Sequence, residues 1–350
     1  MDVRLSEAVG GESLFLSEIS PIEKSRRFVR RSPALKALVT GGAGFIGSNL
    51  ARALLERGDE VSVLDNFSTG YRGNLESLDV ELVEGDLRSY ERVAAAVKGI
   101  EVVFHQGAMP SVPRSIQDPL TSTAVNVEGT LNVLLAARDA GVRRVVFASS
   151  SSVYGNAPGM PRRESQAVAP LAPYAVSKLA AEQYCMVANR VFGVETVALR
   201  YFNVFGEHQD PGSGYAAVIP KFIRIMLDGE RPTIFGDGET SRDFTHVENV
   251  VQANLAAAAE PAAAARVMNV AVGSSYTLND LVRTLRELLD SDIEPDYAAP
   301  RPGDVRESLA DISLARELIG YEPSVGFEEG LERTIAWIVE QRVALEARSL

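Results

Sequence analysis

One cysteine, three histidines and one tryptophan are all that 350 residues contain of these types. A lone Cys185 can close no internal disulfide, which removes the disulfide-stapled secreted class and points to a reducing cytoplasm. It sits in the patterned run AAEQYCMVANR and reads as core. His105, His208 and His246 show no metal-ligand spacing, so no metal is expected. Basic residues are also in deficit. With 35 Lys and Arg against 47 Asp and Glu, the formal charge of -12 argues against nucleic acid or an anionic membrane as the main partner. No apolar run approaches the ~18–20 residues of a membrane span. The first residues lack the short apolar region of a signal peptide, so the expected partner is a small molecule met in the cytoplasm.

What is present suits an α/β enzyme. Hydrophobic residues make up 46% of the chain, enough for a large core, and the length fits a large domain with a smaller one attached. Residues 1–34 mix acids with the basic run KSRRFVRRS and read as an N-terminal extension of unknown role. From Ala34 onward β-rich runs alternate with helical ones: ALKALVTGG, SNLARALLERG, DEVSVLDN, SYERVAAAVKG, EVVFHQGA, TAVNVEGTLNVLLAARDAG, RRVVFASSS. Such alternation predicts a doubly wound parallel sheet of the Rossmann type, helices on both faces. The dinucleotide-binding domain is expected over 35–205, with segments around 240–272 returning to it through the strand RVMNVAVG. A smaller mixed α/β substrate domain is expected over 206–345.

The stretch TGGAGFIGSNL sets Gly41, Gly44 and Gly47 on the turn between a strand and a helix that ends at Gly58. Gly41 permits the tight turn, Gly44 lets the backbone meet a pyrophosphate, and Gly47 lets helix and strand pack closely. The next strand, EVSVLDN, ends at Asp65. A carboxylate there accepts hydrogen bonds from an adenosine ribose and repels a 2′-phosphate, favouring NAD over NADP. Further on, YAVSK places Tyr174 and Lys178 four apart, on one face of a helix. A phenol titrates near pH 10, and a neighbouring ammonium with the charged nicotinamide favours its ionised form, which makes Tyr174 a candidate base for a substrate hydroxyl.

The spacing TGGAGFIG resembles the extended branch of the short-chain dehydrogenase/reductase superfamily. That resemblance places the cofactor along Phe45, Ile46, Asn66, Ser68, Gly70, Asp86 and Leu87 (in VEGDL), Gln106, Gly107 and Ala108 (in HQGA), Asn126 (in NVEGT) and Tyr201. It also makes Ser150 the catalytic hydroxyl, four residues before the tyrosine of the VYG triplet in ASSSSVYG; Tyr154, in that triplet, is the other candidate base. The segments SVPRSIQDP, LRYFNVFG, QDPGSGYAAVIPKF, GDGETSRDFTHVENV and RPGDVRESLADIS look like those of UDP-hexose 4-epimerases, from about Lys36 to Trp337. This resemblance implies a UDP-sugar held by Ser111, Ser150, Ser151, Asn203, Ala217, Val218, Arg242, Arg301, Asp304 and Ser308. It implies oxidation at C4 by tightly held NAD, rotation of a 4-keto sugar and return of the hydride to the other face. Ser308 and Ala217 are small wall residues, leaving room for an N-acetyl group, so UDP-GlcNAc/UDP-GalNAc as well as UDP-Glc/UDP-Gal are expected substrates. UDP-uronates are the alternative. A dehydratase would carry an Asp-Glu pair where Ser151 and Ser152 stand, decarboxylation has no specific support, and a non-catalytic NAD sensor would have no use for Ser150, Tyr174 and Lys178. The family also implies a homodimer paired through the helices of NVEGTLNVLLAARDAG and YAVSKLAAEQYCMVANRVFG.

Overall fold

The computed structural model describes residues 34–210, 212, 217–300 and 306–348. Among them, seven strands form one sheet: β1 (Lys36–Thr40), β2 (Glu60–Asp65), β3 (Glu81–Glu84), β4 (Val102–His105), β5 (Arg144–Ser150), β6 (Glu195–Tyr201) and β7 (Arg266–Val270). Their order is β7-β6-β5-β4-β1-β2-β3, and every pairing is parallel. This is the expected Rossmann-type arrangement, with the late strand RVMNV paired to β6 as its sequence suggested. Central strands read as continuous apolar runs because both faces are covered.

Strand alternation divides the core. Ala37 and Val39 point to one face, where α1 (Phe45–Arg57), α8 (Val247–Ala259) and α10 (Ser313–Ile319) supply Leu50, Leu54, Val250, Ala257 and Ile319. Leu38 points to the other, packed with Val93 of α2 (Tyr90–Ala96), Val133 of α5 (Gly129–Ala140) and Ala181 and Cys185 of α6 (Pro173–Val191). Helix α1 stops where its sequence said it would. Gly58 is left-handed at φ 92°, and its N–H caps Leu54 and Leu55 carbonyls.

Between β4 and α5 the chain departs from the single helix expected. Ser111 caps α3 (Val112–Gln117), Asp118 caps α4 (Pro119–Thr123), and residues Ala124–Glu128 form a wider π turn before α5. A third apolar cluster gathers Phe222 and Ile223 of α7 (Val218–Leu227), Leu281 and Leu285 of α9 (Leu278–Leu288) and Leu331 of α11 (Phe327–Arg348). The carboxyl ends of β1, β2, β4, β5 and β6 open on a common cleft, the position where parallel sheets bind ligands.

Candidate active site

The glycine turn forms one wall of a cleft of about 740 Å³. Gly41 has φ +68°, and a Cβ there would lie 2.6 Å from Gly107 Cα, so the β1 and β4 turns touch backbone to backbone. A Cβ on Gly47 would overlap the Gly41 carbonyl, which is the close helix–strand packing read from the sequence. Gly44 lies at the N-cap of α1, followed by Phe45 and Ile46 along the cleft, and no acidic residue occupies the helix's first turn. Bare N–H groups and the helix dipole therefore face the space an anionic pyrophosphate would fill.

Asp65 ends β2, accepting hydrogen bonds from Ala43 N (2.9 Å) and Phe67 N (2.8 Å), so the carboxylate that faces the cleft also fixes the glycine turn. Asn66, Ser68, Asp86 and Leu87 continue the lining. Asn66 donates to Asp86, and Arg88 grips the same carboxylate with two side-chain donors, holding its pKa down to about 2. Gly70 behaves differently from the expectation. It packs under the glycine turn, where a Cβ would sit 2.7 Å from the Ala43 carbonyl carbon, and it does not reach the cleft.

Gln106, Gly107 and Ala108 line the middle of the cleft, and Tyr201 bonds Gln106 and Asn254 through its hydroxyl. Behind them Thr130 gives its proton to the Asn126 carbonyl, so His105 Nε2–H donates to Thr130 while His105 Nδ1 accepts from Thr40. Burial, with the Lys178 charge adding to it, lowers the His105 pKa to about 3 and keeps the ring neutral. Asn126 is also not a lining residue: its amide brackets Met109 at N (2.7 Å) and O (3.2 Å) and donates to Ser177, holding the loop that lines the cofactor space.

Helix α6 brings Tyr174 and Lys178 to the end of β5. The Tyr174 phenol neighbours Ser150, and Lys178 Nζ donates to the Ala148 carbonyl at 2.8 Å. Burial raises the Tyr174 pKa and Ser150 opposes the rise. Burial also pulls Lys178 down to about 8. Burial thus favours the neutral phenol. The Tyr154 hydroxyl donates to buried Asn269 at 2.7 Å, a bond that turns it away from the end of β5 where Tyr174 lines the cleft.

On the substrate side Ser111 and Ala217 line the cleft. Ser111 holds φ +92°, a strained conformation for a non-glycine residue. Asn203 Nδ2 donates to Asp243 O at 3.1 Å and approaches Ser308 Oγ at 3.5 Å, while Ser308 N donates to Ser241 O, so Asn203, the Arg242 strand and Ser308 meet. Buried Asp243 accepts from Val272, Gly273 and Ala310 N–H groups, and burial lifts its pKa to about 6. Val218 opens α7 and packs on the third cluster instead of lining the cleft, and Ser151 begins the short 3-10 turn after Ser150. Arg301 and Asp304 lie outside the described residues.

A family model described as the NAD dependent epimerase/dehydratase family matches residues 37–271. The chain belongs to that family. Its relatives include a putative UDP-glucose 4-epimerase of Methanocaldococcus jannaschii, 38% identical over 86% of this chain and 97% of its own. Among solved structures, a UDP-N-acetylglucosamine 4-epimerase from Methanobrevibacter ruminantium, in complex with UDP-N-acetylmuramic acid, superposes with TM-score 0.84 at 41% identity, covering 88% of this chain and 99% of that one. A Thermus thermophilus UDP-glucose 4-epimerase in complex with NAD gives 0.80 at 36%, covering 87% and 99%.

The structure adds Tyr71, Arg88, Arg114 and Thr121 to this epimerase-family cleft. Arg88 was signalled by its place two residues after Asp86, where a side chain can fold back on the carboxylate. Arg114 lay unremarked inside SVPRSIQDP. Tyr71 carried no local signal, because its hydroxyl partner, Asp210 at 2.6 Å, is remote in sequence. The residues present fit NAD: a glycine cradle that a Cβ would fill, a carboxylate at the end of β2, and a lysine and a tyrosine at the end of β5.

Proposed function

We propose that the protein inverts C4 of UDP-hexoses, interconverting UDP-GlcNAc with UDP-GalNAc and UDP-Glc with UDP-Gal. The observation that carries this reading is that Tyr174 and Lys178 line, at the end of β5, a cleft built for a dinucleotide, with Ser150 next to Tyr174. NAD, when bound, takes up and gives back the hydrogen of C4. Tyr174 holds the proton of the 4-hydroxyl and returns it, Ser150 orients that hydroxyl, and Lys178 keeps a positive charge one turn away. Ser151 and Ser152 offer no carboxylate for eliminating water, so oxidation and return is the chemistry these side chains support. Asn203, Arg242, Arg301 and Asp304 are the proposed ligands of the UDP diphosphate and ribose, since arginine forks suit a diphosphate.

The domain division proposed is 35–205, joined by about 240–272, against 206–345. The lack among the described residues of a helix long and apolar enough to cross a membrane, the acidic charge and the buried lone cysteine support a cytoplasmic enzyme. Exposed Val176, Tyr184, Val187 and Val191 along α6 support a homodimer. The direct test is to incubate the protein, without added reductant, with the UDP-sugars of glucose, N-acetylglucosamine, glucuronate and N-acetylglucosaminuronate, and to measure 4-epimers. Turnover that demands added NADPH with net oxidation of substrate would overturn the proposal.

A further inference from the structure

Helix α6 presents three functional side chains at four-residue spacing, Tyr174, Lys178 and Glu182, hence on one face. Each meets the end of β5. Tyr174 neighbours Ser150, Lys178 donates to the Ala148 carbonyl (2.8 Å), and Glu182 accepts from Ser149 Oγ at 2.7 Å. Two adjacent residues of the strand, Ala148 and Ser149, are thereby hydrogen-bonded to two consecutive turns of the helix, and Ser150 follows beside Tyr174.

The tie to Ser149 is made by a buried charge. The Glu182 side chain is 0% exposed and that of Arg200, its partner, 5%. Arg200 Nε and Nη2 reach both carboxylate oxygens, at 2.9 and 2.7 Å, from β6, where Arg200 is the register neighbour of Ser149. Its guanidinium lies 4.8 Å from the centre of the Tyr154 ring, and Nη1 has no hydrogen-bond partner. A buried ion pair of this kind contributes little net stability compared with apolar residues of the same volume, because desolvation offsets the attraction. What it supplies is a fixed position. An apolar contact tolerates sliding of a helix on a sheet, whereas a bidentate carboxylate–guanidinium pair that also takes a serine hydroxyl has one geometry.

We infer that Glu182, held by Arg200, is a positioning residue for the reaction: by anchoring Ser149 it sets the register of α6 on β5 and so the placement of Ser150 against Tyr174. The inference rests on the proposed epimerase reading. Glu182 lies outside the cleft lining and connects to it through Ser149, which lines it.

The experiment is steady-state kinetics of UDP-hexose epimerisation with Glu182→Gln and Ser149→Ala, each normalised to NAD bound per chain, which is measured after acid release. Ser149→Ala removes the hydroxyl without leaving a buried charge, so it decides the matter should Glu182→Gln fail to fold. The expected result is a fall in kcat of about tenfold or more with KM changed less than about threefold, since misplacement of a reacting group by a fraction of an ångström acts on the chemical step and not on binding. A role confined to stability would lower the yield of NAD-loaded protein and leave kcat per bound NAD at the wild-type value; that outcome overturns the inference. An active wild type with unaffected variants removes the inference alone. An inactive wild type removes the epimerase reading and the inference with it.

Discussion

Replacing Gly47 with alanine tests whether the glycine turn is a binding surface or only a turn. The new Cβ would overlap the Gly41 carbonyl oxygen and lie 2.8 Å from Gly41 C and Gly42 Cα, where ordinary contacts are 3.4–4 Å. All three atoms are backbone, so no side chain can swing aside. The start of α1 must instead move off β1, and overpacking of this sort costs about 1–3 kcal/mol. Gly58→Ala is the matched control: nothing lies within 4 Å of its Cβ, but φ is +92°, and the left-handed backbone costs about 1–2 kcal/mol in its own right. Both variants should melt a few degrees below wild type. Only Gly47→Ala displaces the Gly41–Gly44 backbone from the pyrophosphate, so only it should lose bound NAD, measured by acid release against protein concentration. Full NAD content in Gly47→Ala, or equal loss in both variants, would refute the reasoning.

Tyr174→Phe should keep NAD and lose about 10²–10⁴-fold in kcat, as removal of a general base does; an unaffected rate would move the base elsewhere. Ser308→Tyr should suppress turnover of the N-acetylated sugars far more than that of UDP-galactose, the ring filling the acetyl space beside Asn203, and equal losses for both classes would show that Ser308 is no wall. The His105 pKa, lowered to about 3 when folded from an ordinary 6.5, means that the unfolded chain binds more protons between those values. Stability from this group is complete above about pH 6.5 and falls as pH drops toward 3; His105→Gln should flatten that part of a melting-temperature profile. Val187→Asp on the exposed face of α6 should turn a dimer into a monomer by light scattering, and an unchanged mass would place any interface elsewhere.

The features legible in the sequence were those with local causes. A strand, a glycine turn and a capped helix follow one another within about twenty residues, and Tyr174 and Lys178 share a helical face by spacing alone. Gly70 misled because a glycine near a cofactor loop can serve either ligand or packing, and only the position of Ala43 decides. Asn126, matched by likeness to a structural asparagine, lies in the π turn that precedes α5 and holds Met109. Such a turn leaves no periodic trace. Glu182 carries no signal of its own within AAEQYCMVANR. Its burial depends on Arg200, which lies on the neighbouring strand, and on Ser149, which precedes it by 33 positions. Pairings of that range are created by the sheet order, and periodicity within one element cannot reveal them.

Cys185, buried at 0% exposure between α6 and the sheet, has its thiol pushed up by burial and by the Glu182 charge, so its thiolate is scarce and out of reach. The chain is therefore silent toward thiol reagents without any residue having been removed. A cysteine introduced at Leu120, 82% exposed on α4 and adjacent to cleft-lining Thr121, would be the one labelling site. A fluorophore attached there could follow the filling and emptying of the cleft in real time on an otherwise native protein.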